Sequence, residues 1–196
     1  MSKYNKVAIA LHWLIALAII SMFFLGWYMT ELPKKAPDQS AIDLFDWGVY
    51  TWHLAEPTSV RSFYFNLHKS IGISILGLVA FRMYWRISHK PPALLTSYKT
   101  WERKVATSTH HLFYLLMFII PLSGLVMAVA SKYGVKWFGI KLIAGLDNNP
   151  LRETFLEVHK VLGWLILALL LLHVVGALKH AMIDKDGTLK RMSFFK

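Results

Sequence analysis

The 196-residue chain contains no cysteine. That excludes a disulfide framework, thiolate metal ligation and covalent attachment of a c-type haem. Acids are also scarce: 11 Asp and Glu stand against 22 Lys and Arg, and none of the acids falls inside the four long apolar runs. A protein zinc site normally adds a carboxylate or thiolate to its imidazoles, so the runs supply only part of one. Charged residues make up 17 % of the chain and hydrophobic ones 56 %, with a mean hydropathy of +0.44. That is too apolar for an ordinary soluble domain. The net charge of +11 would suit a nucleic-acid binder in isolation. Here the bases cluster between apolar runs, so the expected surroundings are membrane lipid and no nucleic acid.

What the chain does have is four runs long enough to span a bilayer, which needs about 20 apolar residues each. They cover residues 7–29, 67–85, 110–130 and 158–180. The first is too long for a signal-peptide core and lacks a small-residue cleavage site, so it is expected to be retained. The fold class expected is an all-α membrane protein, a single four-helix transmembrane bundle over residues 1–196. Pro121 should kink the third helix. The long first connection, 30–66, holds five acids together with Trp47, Tyr50, Trp52 and His53, and a short amphipathic helix on the membrane surface is expected there. The KYGVKWFGIK stretch of the third connection interleaves Lys with aromatics, as an interfacial anchor does.

Lys and Arg number thirteen over the N-terminus, second connection and tail, against seven over the first and third connections. The positive-inside rule then puts both termini in the cytoplasm. Orientation sorts the histidines by depth. His159 and His173 lie fourteen residues apart on the last run, which is about 21 Å along a helix axis and about 40° around it. His68 falls at the outer depth with His159, and His12 at the inner depth with His173. Intramembrane ionisable residues usually mark function, and each same-depth pair spans two helices, which is what a haem slotted between helices needs. A hydrogen-bonded packing role, a proton relay or a two-histidine zinc site are the other uses open to such residues. Two axial imidazoles suffice for iron in a porphyrin, and this matches the pairing.

Gly72, Gly163 and Gly176 follow His68, His159 and His173 by three or four residues and are expected to make room for a flat macrocycle, although small residues also serve helix packing. His110, His180 and Arg82 lie near the inner level and are candidate contacts for haem propionates or a quinone. Lys69, Lys160, Arg61 and Arg152 rim the outer level. They are equally suited to steering a small anion and to snorkelling at the interface.

The segments IALHWLIAL around His12, NLHKSIGISIL around His68, HHLFYLLMFIIPLSGLVM around His110, and EVHKVLGW with LLHVVGALKH around His159 and His173 resemble the short prokaryotic cytochrome b561 family, which includes superoxide oxidases. The resemblance runs through all four helices. It implies a multi-pass protein of the bacterial inner membrane with two b haems, axial ligands at His12 and His173 for the inner iron and at His68 and His159 for the outer one. It also implies electron transport from superoxide or another periplasmic electron donor to ubiquinone, that is, an oxidoreductase. The other function expected is that of a haem-b electron-transfer or anchor subunit of a larger dehydrogenase. The first connection is longer than in the superoxide-oxidising kind and lies over the outer level.

Overall fold

A computed structural model describes residues 3–93 and 98–194. The parts of the second connection and tail at 94–97 and 195–196 lie outside the described residues. Among the described residues four helices are long and apolar enough to cross a membrane: α1 (Lys6–Glu31), α2 (Val60–Ser88), α3 (Thr100–Ala130) and α4 (Asn149–Lys179). All but the first begin seven or more residues before the apolar run that announces them. The reason is capping: a helix continues into polar sequence until its free amides find a partner. The Ser59 side chain accepts from the Ser62 amide, and that of Asn148 from the Leu151 amide, with Pro150 in the first turn. At α3 the Lys99 amide donates to the Glu102 carboxylate at 2.8 Å. Asn5 caps α1 through the Ala8 amide. The helix of α3 runs on through Pro121.

The first connection is not a surface helix. It forms an antiparallel hairpin of β1 (Asp38–Asp43) and β2 (Thr51–Ser59), joined through a turn at Leu44–Asp46. Strand pairing wins because the segment is rich in β-formers such as Ile42, Thr51, Trp52 and Thr58, and carries Pro57, which a helix interior rejects. Phe45 and Asp46 turn the chain at φ of 60° and 58°. Tyr64, wholly buried on α2, fixes that turn by accepting the Phe45 amide at 2.6 Å. Leu25, Ile42, Phe63 and Tyr64 form the core beneath the hairpin. Arg61 ties the hairpin's base to α1, donating to the carbonyls of Met29, Thr30 and Leu32 at 3.1, 3.1 and 2.5 Å.

The third connection makes a second hairpin, β3 (Val135–Trp137) with β4 (Ile140–Ile143). It folds back along α2, where the Phe138 amide donates to Ser70 Oγ at 2.9 Å and the Trp137 indole to Ser74 Oγ at 3.1 Å.

The bundle packs as a chain of neighbours, α1 on α2, α2 on α3 and α3 on α4, whereas α4 and α1 meet only loosely; Phe23 and Trp164 bridge them edge to face, 5.4 Å between centroids. The mid-bundle core is Ile15, Ile75, Val79, Leu116, Met117 and Ile166. Ile166 is the only fully buried residue of α4.

Candidate functional site

A fourteen-residue interval recurs on every helix. It joins His12 to Gly26 on α1, His68 to Arg82 on α2, His110 to Gly124 on α3, and His159 to His173 on α4. Each interval carries the chain about 21 Å along the axis and returns it to nearly the same face. The four helices therefore meet at two levels. One lies toward the hairpins and gathers His68, His159, Gly26 and Gly124. The other lies toward the termini and gathers His12, His173, His110 and Arg82.

At the hairpin-side level the rings of His68 and His159 stand 6.3 Å apart between centroids, inclined at 76°. At the terminal-side level His12 and His173 stand 6.2 Å apart at 63°. A metal–imidazole bond is about 2 Å and a ring centre lies about 1.1 Å beyond its nitrogen, so two rings facing one ion have centroids about 6 Å apart. Both pairs have the spacing of a shared metal ion.

The surroundings fit a porphyrin iron at the hairpin-side level. His159 Nδ1 lies 3.0 Å from the Ile120 carbonyl and 3.0 Å from Ser123 Oγ, while Ser123 itself donates to that carbonyl at 2.7 Å. With a carbonyl as its partner Nδ1 is the protonated nitrogen, which leaves Nε2 as the free donor, as metal-binding histidines are commonly arranged. His68 Nδ1 is buried with no hydrogen-bond partner among the described residues. A buried imidazole nitrogen left unpaired is costly, and a group bound at the ring's other nitrogen would hold the ring there without pairing this one. A Cβ on Gly124 would lie 3.1 Å from His159 Cε1, and one on Gly26 3.4 Å from His68 Cε1. These two glycines let the Cε1 edges of the rings come close to α3 and α1.

They add to the glycines expected from sequence. Gly72 faces Met22 Cε at 3.7 Å, and Gly163 and Gly176 have nothing within 4 Å of an added Cβ. The expectation searched along each ligand's own helix, but the small residues that the rings touch are on the facing helix. The interval of fourteen from His12 and from His110 is the signal that finds them.

At the terminal-side level Arg82 Nη2 lies 3.4 Å from His12 Nδ1, and Arg82 Nε 3.4 Å from the Tyr114 hydroxyl. Arg82 has no carboxylate partner among the described residues. His110 is 5.9 Å from His173 between centroids, and Phe113 5.3 Å. His180, expected near this level, is instead held in an acidic nest. Its Nδ1 lies 2.7 Å from Asp186 and 3.0 Å from Asp184, and its ring stacks on Tyr98 at 4.6 Å. The atoms of Glu102, His180 and Asp184 are close enough to share a cation, but the Lys179 ammonium already bridges Glu102 and Asp184 at 2.8 and 2.6 Å. For Asp186, burial alone would raise the carboxyl. The hydrogen bonds from the Thr188 hydroxyl and amide and the His180 contact outweigh it and hold the group below the ordinary carboxylate range.

The bases around the hairpin-side level are largely engaged. Lys69 donates to the Gly134 carbonyl at 3.1 Å, Lys160 pairs with Glu157 at 2.8 Å, and Arg152 pairs with Glu153. Arg61 donates to α1 carbonyls, so each of these four bases has a partner on the protein.

The family model for prokaryotic cytochrome b561 matches residues 3–194. Cytochrome b561 homolog 2 of Escherichia coli (strain K12) is 33 % identical over 192 residues, spanning 97 % of this chain and 90 % of the relative. A protein named probable superoxide oxidase CybB of Yersinia pestis is 27 % identical over 193 residues, 97 % of this chain and 95 % of its own. Cytochrome b561 homolog 1 of Escherichia coli (strain K12) is 23 % identical over 197 residues, 98 % and 97 % of the two chains. With imidazoles at metal-bridging distance at both levels between its membrane helices, this chain belongs to the prokaryotic cytochrome b561 family and is a multi-pass membrane haem protein of electron transfer.

Proposed function

We propose that the protein binds two haem b groups and carries single electrons across the bacterial inner membrane, from superoxide or another one-electron donor on the outer side to ubiquinone on the inner side. The observation that carries this reading is the pair of histidine couples at 6.2 and 6.3 Å, one at each membrane depth. His68 and His159 would hold the outer iron, and His12 and His173 the inner one. Both termini lie in the cytoplasm on this reading, the hairpins lie in the periplasm or the outer leaflet, and residues 1–196 act as one unit. Haem held by two imidazoles would supply a one-electron carrier suited to electron transfer rather than oxygen binding.

The chain's own residues do the rest. Ile120 and Ser123 orient His159 so that Nε2 faces the outer slot. Gly26 and Gly124 keep both outer rings clear of neighbouring side chains. Arg82 supplies the terminal-side level with an always-charged donor, suited to a haem propionate or to the oxygen of a quinone being reduced. His110 stands beside the same level and can pass a proton to that oxygen.

Stopped-flow mixing of the purified protein with superoxide tests the reading. Rapid appearance of reduced b-type bands, followed by their reoxidation on adding ubiquinone, is the expected course. Reduction no faster than superoxide dismutes on its own would remove superoxide as the donor. One feature favours the second reading, an electron-transfer subunit fed by a protein partner. The hairpin tip exposes Trp47, Val49 and Tyr50 at 74, 81 and 60 % of their surface, and exposed apolar patches of this kind mark interaction sites. Stable co-purification with a dehydrogenase would support it.

A further inference from the structure

The two levels share a helical interval but not a polar lining. At the hairpin-side level the places beside the two imidazoles are Gly26 and Gly124, and the neighbouring cations Lys69 and Lys160 point to the Gly134 carbonyl and to Glu157. At the terminal-side level they are Arg82 and His110. We propose that this difference makes the terminal-side level the electron sink, so that direction is built into the bundle and does not depend on the donor alone. The inference rests on the two-haem reading.

Two effects act with the same sign. An imidazole whose Nδ1–H donates to a carbonyl is a more basic ligand and favours the oxidised, more positive iron. His159 is such a ligand, through Ile120 at 3.0 Å. A cation close to a redox centre favours the reduced, less positive state. Arg82 is such a cation, 3.4 Å from His12. It acts by charge, so the effect holds whichever nitrogen of His12 carries the proton. One electron then leaves the iron between His68 and His159, which returns to the oxidised state. The same electron enters the iron between His12 and His173, which becomes reduced. The one-electron donor restores the first, and a quinone, taking two such electrons in succession with two protons, restores the second.

Potentiometric titration of the purified protein, followed by b-type absorption, tests this. The wild type should show two waves. Arg82→Gln, which removes the charge and keeps the length, should lower the upper wave and leave the lower one in place, while Arg82→Lys should hold the upper wave near its wild-type position. His68→Ala should abolish the lower wave. If His68→Ala does not fold, the Arg82 variants decide the matter alone. The proposal is overturned if Arg82→Gln moves the lower wave, raises the upper wave or moves neither, or if His68→Ala abolishes the upper wave. A wild-type protein with no b-type bands would instead remove the two-haem reading beneath it, a result that cannot be mistaken for the others.

Discussion

Replacing Gly124 by alanine puts one methyl group where the structure has least room for it. The new Cβ would lie 3.1 Å from His159 Cε1 and 3.3 Å from Nδ1, so the ring must yield by a few tenths of an ångström. The ring is not free to do so. It is held on one side by Ile120 and Ser123 at 3.0 Å, and it must face His68 across 6.3 Å. Overpacking of this kind costs about 1–3 kcal/mol. Alanine in place of glycine inside a helix returns about 1 kcal/mol. Net stability should therefore change by less than about 2 kcal/mol, and the bundle should still fold. The displaced ring should be the visible consequence: a loss of up to half the haem, and a changed low-spin electron paramagnetic resonance signal from one of the two centres. Gly77→Ala is the control, since its Cβ meets nothing within 4 Å; it should keep both centres unchanged. If Gly124→Ala retains two haems per chain with both signals as in wild type, the argument that α3 seats His159 against a side-chain-free surface is wrong.

Other outcomes follow from the same contacts. Tyr64→Phe removes the acceptor of the Phe45 amide at 2.6 Å and strands that amide in the outer core; it should destabilise the hairpin by about 1–3 kcal/mol, seen as faster proteolysis within residues 38–59 with haem content unchanged. His110→Ala should retain both haems, because His12 already faces His173; loss of one would make His110 the ligand in place of His12. Acidification should release the C-terminal tail. Asp186 titrates below its ordinary value in the folded protein, so its contribution is complete above about 4 and is lost as pH falls through the lowered value. Tail proteolysis should accelerate over that range and be fast at pH 7 in Asp186→Asn.

The four helices are legible in the sequence because about 20 consecutive apolar residues have few other uses. The helix ends are less so, since Ser59, Asn148 and the Lys99–Glu102 couple cap them in polar sequence that hydropathy ignores. The first connection misleads for a related reason: Trp47, Tyr50 and Trp52 look like an apolar helix face, but Ile42 and Tyr64, far apart in the chain, draw the segment into strands. Pairing by depth needs only the helical rise, and the structure does bring His12 beside His173 and His68 beside His159. What the rise alone does not reveal is the facing helix, so Gly26, Gly124 and Ser123 stay hidden until the bundle is assembled. His180 is an interfacial histidine by position, and its acidic partners Asp184 and Asp186 come from the chain turning back on itself after α4.

Haem per chain, measured with a reduced-minus-oxidised spectrum in four single variants, tests the central pairing most directly. His12→Ala and His173→Ala should each lose one and the same haem, and His68→Ala and His159→Ala should each lose the other. A full complement of two haems in any of these variants, or His12→Ala and His159→Ala matching each other and differing from the remaining two, would contradict the account.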